Sequence, residues 1–167
     1  LKDNFLIDNK NNTKLDYLYL IEAFIAELKN DNALALDYYH QIISYEKTNL
    51  LEDALNRVTS LSINNEDYKN AFLALECLSK MMPVYLPFYA ESAHILGDNV
   101  TAINSYIDYI TLFPEDIVVQ LKLVSLYISI KTYDEAETLL DYMLGLDPTL
   151  QAAQILKRKI LVCHSGS

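Results

Sequence analysis

One spacing of residues recurs four times along this chain and constrains its fold more than any other feature. In the clearest copy, between Tyr133 and Pro148, an alanine is followed by a large apolar residue four positions on, a second one three further on, and a proline five beyond that. The copies are Ala35, Tyr39, Ile42 and, in place of proline, Lys47; Ala71, Leu75, Leu78 and Pro83; Ala102, Tyr106, Tyr109 and Pro114; and Ala136, Leu140, Met143 and Pro148. Their alanines lie 36, 31 and 34 residues apart. A period of about 34 residues with helical spacings is typical of a solenoid in which each repeat packs on its neighbours.

A second slim residue lies twelve positions before each of these alanines. These residues are Ala23, Thr59, Ala90 and Val124. Two helices whose axes lie about 8–10 Å apart can cross closely only where both side chains are small. Each repeat is therefore predicted to be an antiparallel pair of helices that cross at these positions.

Composition favours an all-α domain without cross-links. Of 167 residues, 51% are hydrophobic, and only three are glycine and four are proline. The apolar fraction is sufficient for a continuous core. The sequence shows no sustained alternation of apolar and polar residues, which argues against β-strands. Cys77 and Cys163 are the only cysteines and have no metal-binding or redox spacing, so they are interpreted as structural or incidental thiols.

The helix boundaries follow from capping signals. Thr13 with Asp16 resembles a capping box and predicts a first helix from there to about Leu28; Thr132 with Glu135 predicts a second box. Lys157 and Arg158 stand where a fifth repeat would need an apolar and a small residue, so the last helix is predicted to be a cap. The predicted organisation is a mobile leader at 1–13, a single domain at 14–163 with repeats at about 14–47, 52–82, 83–116 and 117–149 and a capping helix at 150–163, and a disordered tail at 164–167.

The charge distribution disfavours nucleic acids and anionic membranes as partners. Net charge is −10, and the segment from Glu91 to Asp147 holds ten acidic residues against Lys122 and Lys131. We interpret this excess as a solvated outer surface, with a site for a basic partner as the alternative. No apolar run reaches the roughly 18 residues of a membrane helix, so no membrane insertion is expected. Whether a signal or anchor precedes Leu1 is open, and both a cytoplasmic and a bacterial periplasmic location fit.

No set of residues predicts catalysis, a cofactor or a metal site. His40, His94 and His164 are far apart and lack a metal-binding context, and the three glycines are isolated, so no phosphate-binding loop is expected. Carboxylate pairs such as Glu52-Asp53 fall at predicted helix starts, where they complement the helix dipole. We therefore predict a protein that is not an enzyme.

The repeats resemble those of tetratricopeptide-repeat proteins. The best match is residues 117–148, and the positions that carry it are Leu123, Tyr127, Tyr133 to Ala136, Leu140 and Leu146 to Pro148. Residues 83–114 match nearly as well. Residues 52–82 match through Asp67-Tyr68, Ala71, Leu75 and Leu78, and residues 14–47 match more weakly. Pro87 predicts a late start for the first helix of the third repeat. The resemblance implies an α-solenoid of about four antiparallel helix hairpins with a C-terminal capping helix.

The resemblance also implies a concave groove, lined by the first helix of each repeat, in which partners bind. The expected lining is Tyr17, Leu20 and Phe24; Asn56, Ser60 and Ile63; Phe88, Glu91 and His94; and Leu121, Ser125 and Ile128. Such a mixture suits an extended peptide or an amphipathic helix, the alternative being that several of these residues belong to the core. Some family members bind acidic chaperone tails through a clamp of Lys, Asn and Arg; only Asn56, Arg57 and Lys122 could contribute here, so that partner is not predicted.

Two functional hypotheses result. The first is a non-catalytic adaptor or scaffold that binds a peptide or helix of another protein. The second is a structural protein that forms homo-oligomers through its repeat edges or its acidic convex face.

Overall fold

The computed structural model describes the backbone of residues 2–45 and 48–165 and the side chains of residues 14–45 and 48–162. These residues form α-helices, one short 3₁₀ turn and no strand, which confirms the predicted all-α repeat architecture. No helix in the described ranges has the length and apolar character needed to cross a bilayer. The helices are α1 (Lys2–Leu28), α2 (Asn32–Ile43), α3 (Leu51–Asn64), α4 (Tyr68–Met81), α5 (Leu86–Ile95), α6 (Asn99–Leu112), α7 (Ile117–Ser129), α8 (Tyr133–Leu146) and α9 (Gln151–Ser165), and the 3₁₀ turn is Pro83–Tyr85.

Contacts divide the chain into two compact units, residues 1–97 and residues 98–167. In the N-terminal unit, α1 and α2 form one hairpin and α3 and α4 a second; α2 packs on α3, and α4 packs on α5. In the C-terminal unit, α6 packs on α7, α7 and α8 form a hairpin, and α9 packs on both of its helices. The predicted single domain with its repeat boundaries stays a prediction.

The recurring alanines are buried, as the recurring spacing in the sequence predicts. Ala35, Ala71, Ala102 and Ala136 are each at most 1% exposed. Ala23 belongs to the same core cluster as Ala35, and Val124 to the same cluster as Ala136. In these two hairpins, a methyl or isopropyl group at the crossing leaves room for the close approach of the two helices.

The α1–α2, α3–α4, α5–α6 and α7–α8 turns each contain one residue with a positive φ angle. This residue lies five positions before the recurring alanine. These residues are Asn30, Glu66, Gly97 and Lys131, with φ of 58°, 59°, 84° and 64°. The left-handed conformation lets the chain end one helix and start the next with only three residues between them. The turns thus repeat with the period of the alanines, although only one of them uses glycine.

The residue after each of these positions is the N-cap residue of the next helix. In the first three turns it is an aspartate, Asp31, Asp67 or Asp98, whose carboxylate accepts the backbone N–H three residues on. Thr132 does not follow this pattern: it makes no side-chain cap bond, and its hydroxyl donates to the Tyr127 carbonyl at 3.2 Å. Its backbone N–H is also bonded to Tyr127, at 2.9 Å, so the predicted capping box with Glu135 does not form.

Helix α1 extends from Lys2, so it does not begin at Thr13 as the capping pattern predicted. Residues 2–12 contain no proline or glycine that would stop a helix. The late start of α5 is confirmed: the 3₁₀ turn precedes it, and Pro87 lies in its first turn. The predictions of a mobile leader and a disordered tail concern residues whose side chains, and in part backbone, lie outside the described set.

Candidate protein-interaction surface

The N-terminal unit carries two clefts that share helix α3. The first, called here the Arg57 cleft, has a volume of about 390 Å³ and lies between α1 and α3. Its lining residues are Leu20, Phe24, Asp53, Asn56, Arg57 and Ser60. The second, the Phe88 cleft, has a volume of about 250 Å³ and is formed by α3, α4 and α5. Its lining residues are Thr59, Ile63, Tyr68, Ala71, Leu75, Phe88, Glu91, Ser92 and Ile95.

The guanidinium group of Arg57, a residue of α3, is held in place by two residues of α1. It lies 5.3 Å from the centre of the Phe24 ring and 3.5 Å from a carboxylate oxygen of Glu27. Glu27 also accepts the hydroxyl of Tyr39 at 2.5 Å, and burial, together with this bond, raises the pKa of Tyr39. Half of the Arg57 side chain remains exposed, so α3 presents an oriented cation at the rim of the cleft.

Asn56 connects the Arg57 cleft to the start of α5. Its side-chain amide donates to the hydroxyl of Tyr85 at 2.8 Å, and that hydroxyl donates to Glu52 at 3.2 Å. Tyr85 ends the 3₁₀ turn that leads into α5. Asn56 therefore has a structural role, in addition to the cavity role that its position in the sequence predicts.

The Phe88 cleft is mainly apolar and open. Ile63 and Phe88 are 47% and 53% exposed, whereas Ala71 and Leu75 are buried beneath them. Glu91 is partly buried and is the only carboxylate among the lining residues. The cleft can therefore accept an apolar side chain, with a negative charge at one side.

The C-terminal unit contains a larger depression, called here the α6–α8 groove. It has a volume of about 830 Å³ and is bounded by α6 and α8, with α7 beneath. Its lining residues are Ile107, Ile110, Thr111, Pro114, Leu123, Tyr127, Asp134, Glu135, Thr138, Leu139 and Tyr142. Burial, and after it the charge of Glu135, raises the pKa of Tyr127.

Solved structures with the same fold contain tetratricopeptide repeats. A tetratricopeptide-repeat protein from Parabacteroides merdae superimposes with a TM-score of 0.68 at 16% identity, over 88% of this chain and 59% of its own. A structure of MamA matches with a TM-score of 0.63 at 14% identity, over 89% of this chain and 87% of its own. The Cut9–Hcn1 hetero-tetramer matches with a TM-score of 0.55 at 19% identity, over 86% of this chain and 29% of that one.

The chain has the tetratricopeptide-repeat fold. This confirms the fold that the sequence pattern predicted. No protein-family model and no curated protein matches the chain. The chain spans 59% of the length of the Parabacteroides protein.

Within this repeat fold, seven of the twelve predicted groove residues line the two N-terminal clefts. Leu20, Phe24, Asn56 and Ser60 lie around the Arg57 cleft, and Ile63, Phe88 and Glu91 around the Phe88 cleft. Tyr17 and His94 are exposed but line neither of them.

The three predicted residues of α7 lie in the C-terminal unit. Leu121 and Ile128 are partly buried against the core cluster that contains Val124, so packing explains their apolar character. Ser125 is exposed, and its hydroxyl donates to the Leu121 carbonyl at 2.8 Å. None of the three lines the α6–α8 groove.

Sequence reasoning missed the groups that hold Arg57. The sequence indicated Arg57 only as a possible member of a clamp for acidic chaperone tails, and it did not lead to a predicted pair of Glu27 and Tyr39. The signal was present, because Glu27 and Tyr39 are twelve residues apart, the same offset that pairs Ala23 with Ala35. In the described part of the chain, no three His, Cys, Asp or Glu side chains are arranged to hold a metal ion.

Proposed function

We propose that this protein is a non-catalytic interaction module that holds a peptide or helix of another protein against the Arg57 and Phe88 clefts. The observation that carries the proposal is the pair of neighbouring clefts on α3, one polar with an oriented cation and one apolar. The likeness in fold to the Cut9–Hcn1 hetero-tetramer supports a scaffold role in general.

The two clefts suit different parts of one ligand. An apolar side chain in the Phe88 cleft would be the anchor, since buried apolar contacts dominate the affinity of such interfaces. Arg57 and Asn56 would provide hydrogen-bond donors and Asp53 an acceptor for the polar groups that flank the anchor. An extended or helical segment that spans both clefts meets these requirements.

The proposal is tested by reconstituting the complex with a partner purified from the source cells. Because Ile63 and Phe88 are substantially exposed, Ile63→Ala and Phe88→Ala should leave the helical content unchanged. Loss of the anchor pocket should weaken binding by roughly thirtyfold, measured by calorimetry, as expected for a hot spot of about 2 kcal/mol. The matched control is Leu73→Ala, an exposed apolar residue of α4 outside both clefts, which should bind like the wild type. Equal affinity for all variants would contradict the proposal.

A second candidate function is self-assembly through the first-repeat edge. Helix α1 exposes an apolar stripe with spacings of three, four and three residues: Leu18, Ile21, Ile25 and Leu28. A continuous exposed stripe of this kind favours a contact with another protein surface. If a second copy covers it, Ile21→Lys should dissociate oligomers in sedimentation equilibrium; a wild-type protein that stays monomeric at high concentration would contradict this function.

A further inference from the structure

The α6–α8 groove has the properties of a docking site and is separate from the clefts of the N-terminal unit. Ile107 and Tyr142 on its two sides are 43% and 54% exposed, and Leu139 and Ile110 are partly buried between them. Open apolar depressions of this size on a soluble protein mark interaction surfaces.

The charge at this groove selects the kind of occupant. Asp134 and Glu135 lie at its edge, in the first turn of α8, and both are exposed. The dipole of α8 accounts for two acidic residues at this point, but the wider segment 98–147 is also acidic, with Lys122 and Lys131 as its only basic residues. The groove should therefore attract an apolar segment flanked by positive charges.

Helix α9 presents such a segment. Ile155 and Val162 are 62% and 72% exposed, and the exposed Arg158 and Lys159 lie between them on the same side of the helix. The opposite side packs into the core of the C-terminal unit through Ala153 and Ile160, which are fully buried. Residues 151–165 contain no acidic residue.

Lys157, the third cation of this helix, has a different role. Its ammonium group pairs with Asp141 on α8 of the same chain. Among the described side chains of α9, Arg158 and Lys159 are therefore the cations that remain for a contact outside the chain.

We propose that the exposed side of α9 docks in the α6–α8 groove of a second copy of this chain. Ile155 and Val162 would contact Ile107 and Tyr142, and Arg158 and Lys159 would lie beside the acidic edge. The two surfaces differ, so a single contact is head-to-tail and, when it is repeated from copy to copy, produces a ring or an open filament. It uses neither N-terminal cleft nor the α1 stripe, so it goes beyond the proposed adaptor function and can fail without affecting it.

Two charge-reversed variants test the contact. The groove variant is Asp134→Lys with Glu135→Lys, and the helix variant is Arg158→Glu with Lys159→Glu. The wild type should associate with rising concentration in sedimentation velocity, and each variant alone should associate at least about tenfold more weakly, because like charges then face each other. An equimolar mixture should associate again, since the reversed groove of one variant faces the reversed helix of the other. This rescue also requires that both variants are folded.

The matched control reverses two acidic residues of the same unit outside the groove, Asp108→Lys and Glu115→Lys. It changes the net charge as the groove variant does and should associate like the wild type. The proposal is overturned if the wild type is monomeric throughout, if the mixture does not associate, or if the control loses association as well. Ile155→Ser should weaken association without any change in charge, and an unchanged mass distribution in that variant would also overturn the proposal.

Discussion

The hydroxyl of Tyr39 provides a sharp test of how the N-terminal unit is held together. Tyr39 is fully buried, and its hydroxyl donates to Glu27, which pairs with Arg57 on the next hairpin. We predict that Tyr39→Phe lowers the free energy of unfolding by about 2 kcal/mol at neutral pH, because hydrogen bonds to charged groups contribute about 1.5–3 kcal/mol. The ring remains, so the packing against Phe24 is retained.

The pH dependence of this effect follows from the raised pKa of Tyr39. Burial is the main cause, and the bond to Glu27 adds to it. The folded protein keeps the phenolic proton above pH 10, where the unfolded chain, with an ordinary pKa of about 10, loses it. The stability that this group contributes is therefore complete below about pH 10 and falls above it by about 1.4 kcal/mol per pH unit. Phenylalanine has no such proton, so the difference between the two proteins should narrow from about 2 kcal/mol at pH 8 to below about 1 kcal/mol at pH 11.

The assay is urea denaturation followed by circular dichroism at these two pH values. The control is Tyr142→Phe, which removes an exposed hydroxyl of α8 and should change stability by less than about 0.5 kcal/mol. A Tyr39→Phe effect below about 0.5 kcal/mol at neutral pH would refute the role of the hydrogen bond. An effect of the same size at both pH values would refute the role of the proton.

Four further substitutions test other features of the fold. Glu66→Gly should raise the free energy of unfolding by about 1 kcal/mol, because glycine adopts its positive φ without steric cost, and Gly97→Ala should lower it by a similar amount; urea denaturation showing equal stability would contradict both. Ala136→Glu places a charge in a fully buried helix crossing and should cost several kcal/mol; a wild-type melting temperature would mean that the repeat register is wrong. Asn56→Ala removes the bond to Tyr85 and should cost about 1 kcal/mol in the same assay, in addition to any loss of binding.

The repeat fold could be predicted because its constraints are local and recur. A helix crossing with room for only a methyl group selects alanine, so Ala35, Ala71 and Ala136 mark the hairpins directly in the sequence. The turns were harder to predict, because glycine stands at only one of the four left-handed positions. Glu66 and Lys131 adopt this conformation although their side chains disfavour it, so no residue type marks these two turns.

The N-terminal clefts could be predicted in part, because helical periodicity indicates which residues share a face. It places Leu20 with Phe24 on α1 and Asn56 with Ser60 on α3. Periodicity gives no distance between helices, so the bond from Asn56 to Tyr85 and the α6–α8 groove could not be predicted. These features depend on how far adjacent helices are separated, which side-chain volumes across the interface decide.

Helix α9 is fixed to the segment that precedes it in the same way as α7, but it differs from α7 at the position where α7 crosses its hairpin partner. This difference leaves one side of α9 exposed. The side-chain amide of Gln120 at the start of α7 donates to the Pro114 carbonyl at 2.6 Å, and Gln154 in α9 donates to the Pro148 carbonyl at 2.7 Å. Both pairs are six residues apart, so the connection into each helix is fixed in the same way.

The correspondence ends where α7 pairs with its hairpin partner. Val124 of α7 is fully buried at the crossing with α8, whereas the residue 34 positions later is the exposed Arg158. A helix hairpin cannot close over an arginine at that point, because the two axes lie only about 8–10 Å apart. We therefore predict that Arg158 keeps α9 from pairing as the first helix of a further repeat would. The same side chain supplies a positive charge to the surface that we propose docks in the acidic groove.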